Sequence, residues 1–491
     1  MDFNTKTNKR VKTIALLIIG LFFLYFSNGK YYFALASWLF PIFLLQISRN
    51  ERKIYSALII PLLAGVVSQF SFWYIFDNPK SVMFYIPFFV GLLTGYLFLI
   101  DSLLYPKIKG FMATLIFPLA YTAFDFLSNL YNPFGTTGIL GYSQLEFLSF
   151  SQLASITGMW GITFMIAWFG SVVSWYLNNF KNTAITRKGA LIYISIFICI
   201  LAYGSLRVTM PLENGTVKVT GLHTHDKEEI GNVFRSLYQG DTLAFRKMNA
   251  KIIKNSITQT KDEASAGSKI IMWSEGSFAM LKKDEDSIIN VFKTIAKQHE
   301  IYLYITPYVF NKGSKSENKT LLFSPEGALV STHYKFGGNF LEGTVKGNEI
   351  IKTNPTSYGN LTNVICWDGD FPTTIKQVGR EKTDILFIPA SDWYEVSPIH
   401  TTPAVYRAIE NGCSLVRQTQ DGLSIMTDPR GKTITEMNHF NATSWTMTGH
   451  VPTSKIWSLY PIIGDLFGWL SFIGLLFFII KPLLEKKKVQ P

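Results

Sequence analysis

The chain is expected to fold as a multi-pass α-helical membrane domain of about eight transmembrane helices joined to an α/β domain outside the cytoplasm. Three observations carry that expectation. Apolar runs crowd the first two-fifths of the 491 residues and recur once near the end. Between them, short β-branched and aromatic runs alternate with helical patterns. Lysine and arginine gather in alternate loops of the apolar part. The apolar fraction of 48% is high for a water-soluble protein, and its uneven distribution separates a membrane part from a globular part.

A bilayer core takes about 20 apolar residues per helix. Runs of that kind lie near 12–28, 31–48, 54–76, 82–103, 110–129, 150–178, 189–207 and 456–481. The first follows Lys9 and Arg10, yet it reads as a span and not as a cleaved signal peptide, because six further spans follow before the globular part and no small-residue cleavage site closes it. Cytoplasmic loops collect lysine and arginine. Lys9, Arg10 and Lys12 precede the first span, Arg49, Arg52 and Lys53 follow the second, Lys107 and Lys109 the fourth, Lys181, Arg187 and Lys188 the sixth, and Lys486 to Lys488 the last. All fall on one side. The opposite loops are nearly uncharged, Glu146 being the only charge between Tyr131 and Phe150. Both termini are therefore expected in the cytoplasm of a cell whose inner membrane holds the chain. The expected division is a seven-helix membrane domain over 1–207, an extracytoplasmic catalytic domain over 208–455, and a last span with a basic tail over 456–491. These loops account for most of the net charge of +12, so no nucleic-acid partner is expected.

In the outer domain TVKVTGLH, KIIMWSE, IYLYITPYVF, LTNVICWD, DILFIPAS and CSLVRQT read as strands, and the stretches around 241–262, 285–299 and 400–411 as helices. Strands separated by helices indicate an α/β domain with layered sheets. In such domains ligands gather at the C-terminal ends of strands. Glu275, Cys366 and Asp392 each stand at or just beyond such an end, so one site can collect all three.

Three cysteines make no disulfide framework. Cys199 falls inside the seventh span and reads as a small core hydrophobe; Cys413 opens CSLVRQ and reads as a packed strand residue. Cys366 remains as the candidate nucleophile. A thiol attacks a carbonyl as thiolate, and a pKa of about 8.5 leaves too little thiolate near neutrality without help. Glu275 can take the proton, and Lys335, in HYK, can bind the oxyanion that forms on attack. Glutamate, lysine and cysteine together make acyl transfer through a thioester possible. His223 and His225 in HTHD can share one strand face, but no third ligand stands at a usual spacing, so no metal is expected. Arg407 and Glu410 read as a helix-face pair that packs the domain.

The order Glu275, Lys335, Cys366 in an α/β domain resembles the nitrilase superfamily, and nearly the whole chain resembles its membrane-embedded branch, the apolipoprotein N-acyltransferases. MWSE resembles the family's glutamate motif, HYK its lysine motif and ICWD its cysteine motif. YNPFGTTGILGYSQ with QLASITGMWGITF resembles the stretch between its fifth and sixth spans, and SDWYEVSPIHTTPAVYRAIENGCSLVRQTQDGLSIMTDPRG resembles its longest shared block. The resemblance implies a nitrilase-like αββα sandwich. It implies Glu275 as general base, Lys335 as oxyanion stabiliser and Cys366 as acylated nucleophile. Glu342 is the candidate for a second glutamate. Trp367 and Asp368 stand where the family usually has tyrosine and glutamate, and with Asp392 and Trp393 they are candidates for substrate contact or support.

The implied function is an N-acyltransferase working by a ping-pong cycle. A phospholipid donates its acyl chain to Cys366, and the α-amino group of a lipidated N-terminal cysteine on a diacylglyceryl lipoprotein accepts it. No cofactor is implied, and a monomer is expected. A membrane-bound amide hydrolase of the same superfamily, an acyltransferase with a different amine acceptor, and a non-catalytic membrane binding protein stay open as alternatives.

Overall fold

The computed structural model describes residues 3–75, 78–212, 215–223 and 227–487. They form two compact units: one comprises 1–132, 138–209 and 463–491, the other 133–137 and 210–462.

The first unit is helical. Phe3–Tyr25 and Ala34–Asn50 are helices, and among the described residues six more are long and apolar enough to cross a membrane: Tyr55–Phe72, Val82–Lys107, Gly110–Tyr131, Met159–Asn179, Thr183–Thr209 and Leu466–Leu484. The apolar run expected to form one span over 150–178 is broken. Leu148–Ser151 and Ala154–Thr157 are single helical turns, and Gly158 at φ 65° starts the long helix anew at Met159. That left-handed backbone ends a helix, and glycine adopts it without a Cβ clash. Cys199 is exposed on its helix instead of packed in a core. Arg49 and Asp101 form a fully buried ion pair in this unit. Arg49 donates through Nε and Nη2 to Asp101 at 2.7 and 2.9 Å and through Nη2 to the Ser171 hydroxyl at 2.7 Å, and its guanidinium lies 4.1 Å from the centre of the Tyr105 ring.

The second unit contains fourteen strands among the described residues: β1 (Thr216–Leu222), β2 (Ile270–Trp273), β3 (Ala279–Leu281), β4 (Tyr302–Ile305), β5 (Tyr308–Phe310), β6 (Glu317–Phe323), β7 (Leu329–Tyr334), β8 (Thr353–Thr356), β9 (Gly359–Asn363), β10 (Ile385–Ser391), β11 (Ser414–Gln420), β12 (Leu423–Thr427), β13 (Thr433–Asn438) and β14 (Thr446–Pro452). One sheet runs β14-β1-β2-β4-β6-β5-β3, with β7 also on β6; the other runs β13-β12-β11-β10-β9-β8. The pairs β1/β2, β2/β4, β9/β10 and β10/β11 are parallel.

Side chains alternate across a strand, and the two cores follow that period. Ile270 and Met272 of β2 point between the sheets, where they meet Ile385, Phe387 and Val416 of the second sheet. Ile271 and Trp273 point the other way, against Phe245 and Ile252 of helix Thr242–Ser265 and Phe292 of helix Glu285–Gln298. Helix Ser397–Asn411 covers β11 and β12 on the far side. Helix, sheet, sheet and helix stack as four layers, the nitrilase-like sandwich. Arg407 and Glu410 pair inside it at 2.9 Å, both fully buried.

Two expected strands differ. IYLYITPYVF splits into β4 and β5 at Thr306–Pro307, where proline supplies no N–H for a ladder. LTNVICWD ends as a strand at Asn363, and Cys366–Asp370 form a 3₁₀ turn. His223 follows the last residue of β1, and its Nδ1 lies 3.0 Å from the Ser274 hydroxyl; His225 lies outside the described residues.

Candidate active site

Glu275, Lys335 and Cys366 are fixed by backbone before any side chain meets. Glu275 lies just past β2. The N–H groups of Ser274, Glu275 and Gly276 donate to Leu222 O, Ala390 O and Thr306 O at 3.1, 3.3 and 2.8 Å, which ties the turn to β1, to β10 of the facing sheet and to the end of β4. Lys335 follows β7, with its N–H on Asn318 O at 3.0 Å and its carbonyl accepting from Gly347 at 2.8 Å. Cys366 sits at φ +46°, a left-handed backbone that costs a non-glycine residue about 1–3 kcal/mol and persists only where the surroundings enforce it.

Asp368 supplies much of that enforcement. It is fully buried and accepts from the N–H groups of Ile365, Phe336 and Gly337 at 2.9, 2.9 and 2.7 Å, and His333 Nε2 stands 2.9 Å away. The cysteine turn is thereby clamped to the chain just after Lys335. Gly337 makes the approach possible, since a Cβ there would lie 2.9 Å from the Trp367 carbonyl oxygen. Asp368→Ala would strand three N–H groups; we expect a loss of roughly 3 kcal/mol, which is about 6–12 °C in unfolding temperature for a domain of this size, read by thermal unfolding of the purified chain. An unchanged midpoint would mean that the clamp holds nothing.

Lys335 Nζ donates to Glu275 Oε1 at 2.7 Å and to Glu342 Oε1. Asn318 Nδ2, from β6, donates to Glu275 Oε1 at 2.7 Å and to Glu342 Oε2 at 3.1 Å. Two carboxylates thus share one cation, and Glu342 joins the pair expected from the sequence. Glu275 Oε2 is buried and accepts no hydrogen bond among the described residues. Burial alone would lower Lys335, but Glu275, Cys366 and Glu342 together carry it well above its ordinary value, so it stays an ammonium. Burial, with the charge of Glu275, raises Glu342 against the pull of Lys335. Burial, and then Glu275, raise the Cys366 thiol, while Lys335 and His400 pull it down.

On the other side of the cysteine, Cys366 Sγ lies 3.8 Å from Ser391 O. Sγ, an Asp392 oxygen and a His400 ring nitrogen fall within 4.8 Å of one another, a spacing a cation can use. Their electrons are already engaged. Arg417 Nη2 lies 2.9 and 3.0 Å from the two Asp392 oxygens, and His400 presents one nitrogen to Asp392 and the other to Asp370. Trp367 donates through Nε1 to Phe134 O at 3.3 Å and packs against the rings of Phe134 and Phe340 at 5.5 and 6.5 Å. Phe134 comes from Pro133–Thr137, the piece of the NPFGTT motif that belongs to this unit; Thr136 donates its N–H and hydroxyl to Asp370 O, each at 2.9 Å. Trp393 is half-buried in the turn after β10, and Tyr394 is exposed. Asn318, Asp370, His400 and Arg417 are the site members that sequence reasoning missed. His400 and Arg417 stood inside the longest shared block, but nothing local set them apart from their neighbours.

Residues 242–458 match the carbon-nitrogen hydrolase family, and residues 20–172 match the apolipoprotein N-acyltransferase N-terminal domain. Similar proteins include apolipoprotein N-acyltransferase 2 of Treponema denticola, 24% identical over 73% of this chain and 74% of that protein. The apolipoprotein N-acyltransferase of Geobacter metallireducens is 23% identical over 74% of this chain and 73% of its own length. A second Treponema denticola protein, apolipoprotein N-acyltransferase 1, is 22% identical over 94% of both chains. An N-terminal part that matches the apolipoprotein N-acyltransferase N-terminal domain and a C-terminal part that matches the carbon-nitrogen hydrolases, in that order, make this chain similar to the apolipoprotein N-acyltransferases over most of its length.

Proposed function

We propose that this chain is an N-acyltransferase that moves a fatty acyl chain from a phospholipid, through a Cys366 thioester, to the α-amino group of the lipidated N-terminal cysteine of lipoproteins. The observation that carries the reading is the buried, unpartnered Oε2 of Glu275 in a site where Oε1 is held by Lys335 and Asn318. One carboxylate oxygen is anchored and the other is left to handle a proton. Glu275 takes the thiol proton as Cys366 Sγ attacks the ester carbonyl. Lys335 stabilises the oxyanion, with the N–H of Trp367 as second donor. The oxyanion collapses, the C–O bond breaks, and the proton passes from Glu275 to the leaving glyceryl oxygen, which frees a lysophospholipid. The incoming amine then attacks the thioester and gives its proton to Glu275, which passes it to the departing sulfur as the C–S bond breaks and the thiol is restored.

Phe3–Tyr25 and Ala34–Asn50 complete eight spans in this reading. The helix count then returns the chain to the cytoplasm at its end and leaves 208–455 outside the inner membrane, as the loop charges demand. Ser314, exposed in the turn before β6, tests that placement. A Ser314→Cys variant should react with an impermeant thiol reagent added from outside after the outer envelope is permeabilised; protection of that position would put the domain on the other face.

The function itself is tested with labelled phospholipid and a diacylated peptide carrying a free N-terminal amine. Lysophospholipid should appear in multiple turnovers only when the peptide is present, with one label transferred per amine blocked. Steady release of free fatty acid without peptide would instead make the chain a hydrolase.

A further inference from the structure

His400 lies in the first turns of helix Ser397–Asn411, and both of its ring nitrogens face carboxylates: Nδ1 is 3.0 Å from Asp392 Oδ1 and Nε2 is 2.6 Å from Asp370 Oδ2. A neutral imidazole has one N–H and would turn a lone pair toward one of those oxygens. Only the doubly protonated ring satisfies both contacts. The carboxylates are themselves held in place. Asp392 is fixed by Arg417, and Asp370 belongs to the cysteine turn, whose carbonyl is tied by Thr136.

The charges explain what such a cation is for. Lys335 is already shared by Glu275 and Glu342, so that side of the cysteine offers no surplus positive charge. On the opposite side Asp370, Asp392 and Arg417 alone sum to one negative charge. With an imidazolium at 400 this cluster becomes neutral, and the thiolate is no longer flanked by net negative charge on both sides. We infer that His400 is held as an imidazolium by Asp370 and Asp392 and serves, with Lys335, as the second cation that stabilises the Cys366 thiolate. The electrostatics agree: burial would lower His400, but Asp370, Cys366 and Asp392 raise it well above an ordinary imidazole, and His400 in turn pulls the Cys366 thiol down. The inference deepens the proposed function, since it rests on Cys366 as nucleophile.

The test measures the thiol without any acyl transfer, so a chain that acylated no peptide would leave the result standing. The full-length protein in detergent is alkylated with iodoacetamide across pH, and the rate at Cys366 is followed by mass spectrometry of its peptide. His400→Gln should move the midpoint of the rate profile up by about one pH unit or more, from one unit charge removed at this range in a partly shielded interior. Adding Asp370→Asn to it removes the carboxylate left unbalanced and should bring the midpoint back toward the parent. A structural role would not produce that reversal. A parental midpoint in His400→Gln, or a double variant as displaced as the single one, overturns the inference. Should His400→Gln fail to fold, ¹⁵N-histidine spectra of the parent in bilayers decide: an imidazolium signal should persist at pH 8, and a spectrum of neutral rings alone overturns the assignment.

Discussion

Cys366→Ala is expected to abolish the acyl-enzyme, with a loss on the order of 10⁶-fold in turnover as for other enzymes stripped of their nucleophile. The remaining thiols cannot replace it. Cys413 is fully buried before β11, where burial and the neighbouring Asp384 push its thiol up to about 12, so it holds almost no thiolate at neutral pH. Cys199 lies on an apolar helix of the other unit. Incubation with labelled phospholipid, followed by hydroxylamine, reads the thioester directly. Cys199→Ala and Cys413→Ala should keep the labile adduct if folded. A hydroxylamine-labile adduct that survives in Cys366→Ala would move the nucleophile elsewhere.

Glu275→Gln separates two roles that act in opposite directions on the thiol. As a charge, Glu275 raises the Cys366 thiol, so its removal makes the thiolate easier to form. It also frees Lys335 from one of its two carboxylates, which favours the thiolate further. As the base of the proposed cycle, Glu275 would carry the proton during acylation and return it to the leaving group, a contribution of about 10²–10⁴-fold. The base role outweighs the charge role in the proposed cycle, because Glu275 Oε2 is the oxygen that takes the thiol proton there. Single-turnover thioester formation should therefore fall by about 10²–10⁴-fold, while alkylation of Cys366 by iodoacetamide, which needs only the thiolate, should be as fast as in the parent or faster. Parallel losses in both assays would show that Glu275 merely holds the site together.

Much of this was legible in residue order. The helices long and apolar enough to cross a membrane, six among the described residues, announce themselves by apolar runs of bilayer length, and β2, β10 and β11 by short β-branched runs, because local periodicity is written in contiguous residues. Glu275 and Cys366 were legible because they close such runs, and Lys335 because it stands in HYK; the family resemblance then supplied their roles. Where a local rule competes with a tertiary one, the sequence misled. The apolar run through 150–178 looked like one span, yet Gly158 breaks it, and VICWD looked like strand, yet Cys366 turns left-handed because Asp368 pulls three N–H groups onto one carboxylate.

What residue order determined, then, is the kind of chain: apolar helices before and after an α/β sandwich in the sequence, with a glutamate, a lysine and a cysteine at its strand ends. Tertiary structure alone decided the company these residues keep. Asn318 reaches Glu275 because β6 lies between β4 and β5, and Glu342 reaches Lys335 because the chain folds back after β7. Asp370, Asp392, His400 and Arg417 come from four separate segments that meet only when helix Ser397–Asn411 packs on the second sheet. Pro133–Thr137 joins them from more than 200 positions away, by two hydrogen bonds to Asp370. Contacts between distant segments depend on strand order and register, which no single stretch encodes, and a buried charge is tolerable only once those contacts exist. The candidate groups are therefore readable one by one, whereas the electrostatic balance around the buried Cys366 thiol exists only in the folded chain.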